Sequence, residues 1–217
     1  MNRKNHSNTR RIVGIALFTA IVIVLQALGA FIKFGPFSIS LVLVPIVVGA
    51  AIYGVWAGAW LDFVFGMVVL LSGDAAAFLS VNPFGTIVTV LVKGVLAGLL
   101  SGATYNALKK VGSYFAALVS AIVCPIVNTG VFLLGCKLFF MDTITGWATA
   151  WFESLAKTGE FFSDFVANHV LSKGAGAAVS SYMIFGLVGF NFIVELLVNL
   201  ILSPVIVQLI KIGKKER

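Results

Sequence analysis

The sequence is poor in charged residues, and this shortage excludes most classes of soluble protein. Charged residues occupy 11% of the 217 positions, whereas 60% of the residues are hydrophobic. A soluble domain carries about 25% charged residues, because its water-facing surface requires them. An ordinary soluble enzyme is therefore excluded, and the composition predicts a chain that lies largely within a lipid bilayer.

Catalytic and metal-binding motifs are also missing from the sequence. The two cysteines, Cys124 and Cys136, both lie in apolar runs, so no disulfide framework or zinc-type spacing is present. No GxxxxGK[ST], HExxH or GxSxG motif occurs, and the two histidines, His6 and His169, lie in terminal or loop sequence. We therefore expect no catalytic residue, no metal and no cofactor bound by this chain, and no enzymatic activity.

What the sequence does contain is a series of long apolar runs. Each is long enough, or nearly so, for the roughly 20 residues that a membrane-spanning helix needs. They predict an all-α membrane protein in which residues 1–217 form a single domain of six transmembrane helices. The predicted spans are residues 12–31, 38–53, 57–71, 84–108, 113–140 and 177–210.

The basic residues predict how this bundle is oriented, because cytoplasmic loops carry an excess of Lys and Arg. The net charge of +7 does not indicate nucleic-acid binding, since the basic residues lie at the ends of apolar runs rather than in one patch. With six spans, ten of the 15 basic residues fall on the side of the termini and three on the other side. We therefore expect cytoplasmic tails at residues 1–11 and 211–217, and an external segment at 142–173 whose aromatic residues lie in the membrane interface.

Polar side chains within the predicted spans are the candidate binding residues, because such groups are costly in a bilayer unless they are paired or functional. Asn82, Thr86, Thr89 and Lys93 recur at steps of four, three and four residues, which places them on one helical face. Lys93 then lies roughly 15 Å below the outer end of its helix.

A second polar face is predicted on the last span, where Asn191, Glu195 and Asn199 recur every four residues. Asn128 of the fifth span is expected to join it. Two interpretations remain open: the groups line a ligand pocket open to the outside, or they hold the helices together, with Lys93 and Glu195 as a structural pair.

Small residues at four-residue spacing form a further pattern. Gly94, Gly98 and Gly102 follow one face of the fourth span, and such faces let helix backbones approach closely. Ala50, Gly54 and Gly58 repeat the pattern across a predicted tight reversal. Internal packing is expected for both, whereas the Ala16 and Ala20 face of the first span is available to a partner.

These features resemble the substrate-binding S component of an energy-coupling factor (ECF) vitamin transporter. The stretches that carry the resemblance are ALFTA, FGPFSISLVLVPIVVGAAIYG, GDAAAFLSVNPFGTI and AIVCPIVNTGVFLLGC. The resemblance implies that the Ala16 and Ala20 face docks a transmembrane coupling subunit. It also implies an outward-facing vitamin pocket closed by a lid between the first two helices. The matching positions are Asn82, Thr86, Thr89, Lys93, Asn128, Asn191 and Glu195, with Phe34 and Phe37 as the lid.

The resemblance further implies a multi-pass protein of a bacterial plasma membrane. It would capture a vitamin outside and deliver it inward with a coupling subunit and two ATPases, which use the ATP. Lys93 favours an anionic vitamin such as pantothenate, whereas a Lys93–Glu195 pair would leave a hydrogen-bonding pocket suited to riboflavin. The alternative function is a small secondary transporter that works alone on an ion gradient, for which broken mid-membrane helices would be a sign.

Overall fold

The fold is almost entirely helical. The structure, a computed structural model, describes residues 3–29, 33–34, 37–38, 41–157 and 175–215. Its α-helices are α1 (Arg3–Gly29), α2 (Leu43–Tyr53), α3 (Val55–Leu71), α4 (Ala76–Leu79), α5 (Pro83–Leu108), α6 (Ser113–Phe139), α7 (Met141–Ala156), α8 (Ala175–Ser181), α9 (Phe190–Ile201) and α10 (Ser203–Lys215). A π-helix (Tyr182–Gly189) joins α8 to α9, and two short strands, β1 (Lys33–Phe34) and β2 (Phe37–Ser38), form an antiparallel hairpin.

Within the described residues, three helices are long and apolar enough to cross a membrane, over residues 8–29, 83–108 and 113–139. They agree with the first, fourth and fifth predicted spans. A further pair, residues 176–189 and 191–201, meets the same criteria together but is bent by 45° at its break. The second and third predicted spans are shorter helices of 11 and 17 residues. The chain is therefore a helical membrane protein, and the count of six spans stays a prediction.

Several predicted boundaries differ from the structure. The second span was expected to begin at Ser38, but Ser38 pairs with Lys33 in the hairpin and α2 begins at Leu43. The tail 1–11 is helical from Arg3, because no Pro or Gly separates it from the apolar part of α1. The segment 142–173 is helical as far as Ala156, and its residues 158–173 lie outside the described ranges. The tail from 211 continues α10 to Lys215.

A glycine at a sharp turn separates α2 from α3. Gly54 has a φ of 100°, a conformation that residues with a Cβ rarely adopt, so the chain reverses there without a loop. The predicted tight reversal is confirmed. It sets α3 beside α2 and directs its small residues toward α5.

The predicted glycine face of α5 packs directly against α3. A Cβ added at Gly94 would lie 2.6 Å from the carbonyl oxygen of Asp62, and one at Gly58 would lie 2.6 Å from the carbonyl oxygen of Gly98. A Cβ at Gly102 would lie 3.0 Å from Cα of Val55. The prediction of internal packing for these glycines is confirmed, because only hydrogen atoms fit between the two backbones.

An apolar cluster lies at one end of the bundle. Ile144, Ala148 and Phe152 of α7 are buried there with Tyr182 and Leu187 of the π-helix. Phe78, in the segment between α3 and α5, packs edge-to-face on Phe132, Phe140 and Trp147 with centroid distances of 5.5, 5.0 and 5.3 Å. The segment 72–83 lies between the third and fourth predicted spans and was expected to be a loop. It contains the short helix α4, whose Phe78 is buried.

The glycine packing makes a stability prediction. Gly98→Ala is expected to lower the free energy of unfolding by about 1–3 kcal/mol, the usual cost of overpacking, because the new Cβ would press on Cβ of Asp62 at 2.8 Å and on the carbonyl of Gly58. The matched control is Gly130→Ala on α6, where a Cβ meets nothing within 4 Å. Thermal melts in detergent measure both variants. If Gly98→Ala has the same melting temperature as the control and the wild type, α3 and α5 do not pack this closely.

Candidate functional site

A cavity lies at the end of the bundle where α3 and α6 end and α5 begins. It contains about 780 Å³ of empty space, part of which is open to solvent. Lys93 extends into it from α5, ten residues after the helix begins at Pro83. The cavity therefore reaches roughly 15 Å along α5, at the rise of about 1.5 Å per residue.

Six of the predicted binding residues line this cavity together. Thr86, Thr89 and Lys93 come from one face of α5, as their spacing predicted. Asn128 comes from α6, and Asn191 and Glu195 come from α9. The structure brings these residues together from three helices.

The other predicted site residues lie elsewhere. Asn82 is not among the lining residues: its Oδ1 accepts a hydrogen bond from the backbone N–H of Gly85 at 2.9 Å and caps α5. Phe34 and Phe37 pair in the hairpin through their backbones, and their side chains lie outside what the structure describes. Ala16 and Ala20 are exposed on α1.

The ammonium group of Lys93 lies close to two aromatic rings. Its Nζ lies 5.3 Å from the ring centroid of Phe65 and 5.9 Å from that of Phe132, distances at which the face of a ring attracts a cation. Glu195 lines the same cavity from α9. Residues of α3, α6 and α9 therefore share the cavity with Lys93.

Sequence reasoning missed a polar pair on the opposite side of the cavity. Nε2 of Gln26, near the end of α1, donates a hydrogen bond of 2.8 Å to Oδ2 of Asp74. Both side chains are buried, at 1% and 8% exposure. A signal did exist, because Gln26 interrupts an apolar run and amide groups within a span are unusual. Their pairing joins positions 48 residues apart, which no local pattern indicates.

The rest of the lining is mainly aromatic and aliphatic, and sequence reasoning did not identify it as part of the site. The further lining residues are Phe65, Val69, Ala75, Phe78, Val90, Thr129, Phe132, Phe140, Val188 and Phe192. A mainly apolar pocket with a few convergent polar groups is typical of small-molecule binding. No group of three His, Cys, Asp or Glu side chains within the described ranges could hold a metal ion.

Comparison with known proteins identifies a family. A profile described as "ECF transporter, substrate-specific component" matches residues 10–210. Neither curated proteins nor solved structures gave a match to the chain. The family match confirms the resemblance that the sequence indicated. Because the match covers nearly the whole chain, the protein belongs to the family of substrate-specific components of ECF transporters.

Proposed function

We propose that this chain binds a small water-soluble vitamin or related nutrient from outside the cell in the cavity around Lys93. Family membership supports a role in uptake as a transporter subunit. The observation that supports the binding site is the cavity itself, which brings six predicted polar residues of three helices to one end of the bundle. Pantothenate and riboflavin are the vitamins that the sequence favoured, through Lys93 alone or paired with Glu195.

Delivery of the nutrient inward is proposed to need other subunits. The partners are a transmembrane coupling subunit and two ATPases, and the ATP is bound by the ATPases rather than by this chain. The exposed side of α1 supports such a partner: Ala16 and Ala20 lie there with the exposed side chains of Val13 and Leu17, whereas Val22 on the other side is buried. Small side chains on an exposed helix let a second helix approach closely.

The proposed orientation places both termini in the cytoplasm of a bacterial cell and the cavity toward the outside. The cavity lies at the end of the bundle that also holds Asp74 and α7, away from Lys109 and Lys110 at the far end of α5. The ten-to-three distribution of basic residues supports this orientation. A nutrient arriving from outside would then meet the open side of the cavity.

A second candidate function is a secondary transporter that works alone. The observation that favours it is the bend of 45° between residues 176–189 and 191–201, because broken helices line the binding sites of many such transporters. The two functions differ in their energy source. Uptake by the proposed S component needs the ATPases, whereas uptake by the alternative needs an ion gradient.

Docking on α1 gives a test of the proposed function. The double variant Ala16→Leu and Ala20→Leu is expected to abolish ATP-dependent uptake of the nutrient in cells that also express the coupling subunit and ATPases, because the added bulk prevents close helix approach. Ligand binding by the purified chain should be unchanged. Ala107→Leu, at an exposed position on α5, is the control and should leave uptake intact. Full uptake by the double variant, or uptake without the ATPases, would contradict the proposal.

The orientation is tested by labelling single cysteines from outside the cell. The background lacks Cys124 and Cys136, which are both buried. Cysteines placed at the exposed positions Ser72 and Ser154 should react with a membrane-impermeant maleimide, and one at the exposed position Ser113 should not. Reaction at Ser113 in intact cells, without reaction at Ser72, would reverse the orientation.

A further inference from the structure

The charged side chains of the cavity carry an excess of negative charge. Among the described lining residues, Asp74 and Glu195 are acidic and Lys93 is the single basic residue. Because charge interactions are strong where water is excluded, a bound ligand of positive charge would be favoured over one of negative charge.

The cavity lining contains buried hydrogen-bond acceptors that lack a partner within the described part of the chain. The bond from Nε2 of Gln26 to Asp74 fixes the orientation of the amide, because the flipped amide would set its oxygen against the carboxylate. Oε1 of Gln26 is buried and has no hydrogen-bond partner among the described residues. Oδ1 of Asn128 and Oδ1 of Asn191 are also buried and lack a partner within the described part of the chain. Unsatisfied buried acceptors favour a ligand that brings N–H donors.

The aromatic lining suits a positively charged ring. Phe65 and Phe132 already present their faces to one cation, the ammonium group of Lys93. Phe78 and Phe140 extend this aromatic surface, with Phe78 edge-to-face on both Phe132 and Phe140. Ring faces attract cations and also stack on flat rings, so a flat cation gains from both interactions.

We propose that the ligand of this cavity is a flat organic cation with N–H donors. Its positive end lies toward Asp74 and Oε1 of Gln26. This inference rests on the proposed function, since it names the substrate class of the same cavity. It differs from the anionic vitamin that Lys93 alone suggested, because the described lining carries two acidic side chains, Asp74 and Glu195, and one basic side chain, Lys93.

Three probes of the same shape and different charge test this inference. Benzamidine is a cation with N–H donors, benzamide is neutral, and benzoate is an anion. Each is titrated into the detergent-purified full chain, and binding is measured as thermal stabilisation. We expect benzamidine to bind at least about tenfold more tightly than benzoate, a difference of about 1.4 kcal/mol, with benzamide between them.

Variants that change the charge of the lining then test which residues cause the preference for benzamidine over benzoate. Asp74→Asn is expected to reduce the preference for benzamidine over benzoate, and Lys93→Met is expected to increase it, because each changes the charge of the lining by one. Asp142→Asn is the matched control: Asp142 is exposed on α7 and is not among the lining residues, so the preference should be unchanged. A gain of benzamidine affinity in Lys93→Met cannot arise from misfolding, which keeps the test valid if Asp74→Asn fails to fold.

Three outcomes would overturn the inference. Tighter binding of benzoate, or equal binding of all three probes, would reject the cationic class and leave the cavity as a binding site. No stabilisation by benzamidine at its solubility limit would also reject the cationic class. None of these results bears on the proposed uptake function, which the Ala16 and Ala20 variants test independently.

Discussion

The ammonium group of Lys93 lies inside an apolar helix bundle, and the arrangement of the helices around the cavity depends on how its charge is balanced. A charge at bilayer depth costs several kcal/mol unless it is compensated. The rings of Phe65 on α3 and Phe132 on α6 face the ammonium group, and Glu195 of α9 lines the same cavity. Residues of three further helices therefore meet Lys93 of α5 in a cavity that polar groups line.

Two neighbouring faces of α5 serve different purposes. Gly94 and Gly98 pack against the backbone of α3, whereas Thr86, Thr89 and Lys93 face the cavity. Consecutive helical residues point about 100° apart, so Lys93 and Gly94 divide between these faces. The close glycine contact fixes the position of α5, and the polar face then presents its side chains from a rigid element, as a selective binding site requires.

Helical spacing predicted part of this site, and the remainder depends on contacts that spacing does not contain. Thr86, Thr89 and Lys93 could be placed on one face because they share a helix. Gln26 and Asp74 could not be paired, since their contact joins α1 to the segment before α4. Asn82 fitted the polar stripe but caps the helix, and the Pro that follows it was the overlooked signal of a helix start.

The last predicted span shows a second limit of prediction from the sequence. The sequence predicts one span over residues 177–210, yet the structure bends there between the π-helix and α9, and α9 ends at Ile201 before α10 begins at Ser203. A π-helix has poorer hydrogen-bond geometry than an α-helix and persists where surrounding packing favours it, often beside functional sites. Here Tyr182 and Leu187 are anchored against α7, and the break places Val188, Asn191 and Glu195 around the cavity. Only the tertiary structure could reveal that bend.

The central claim is that the cavity around Lys93 holds the transported nutrient. The most direct measurement is mass spectrometry of the small molecule that co-purifies with the detergent-solubilised chain, compared between two Phe variants. Ala75→Phe fills the cavity, since Ala75 is buried and lines it, whereas Ala76→Phe adds the same bulk at the neighbouring exposed position. The account predicts that the wild type and Ala76→Phe retain the molecule and that folded Ala75→Phe does not. Equal retention by both Phe variants would contradict it.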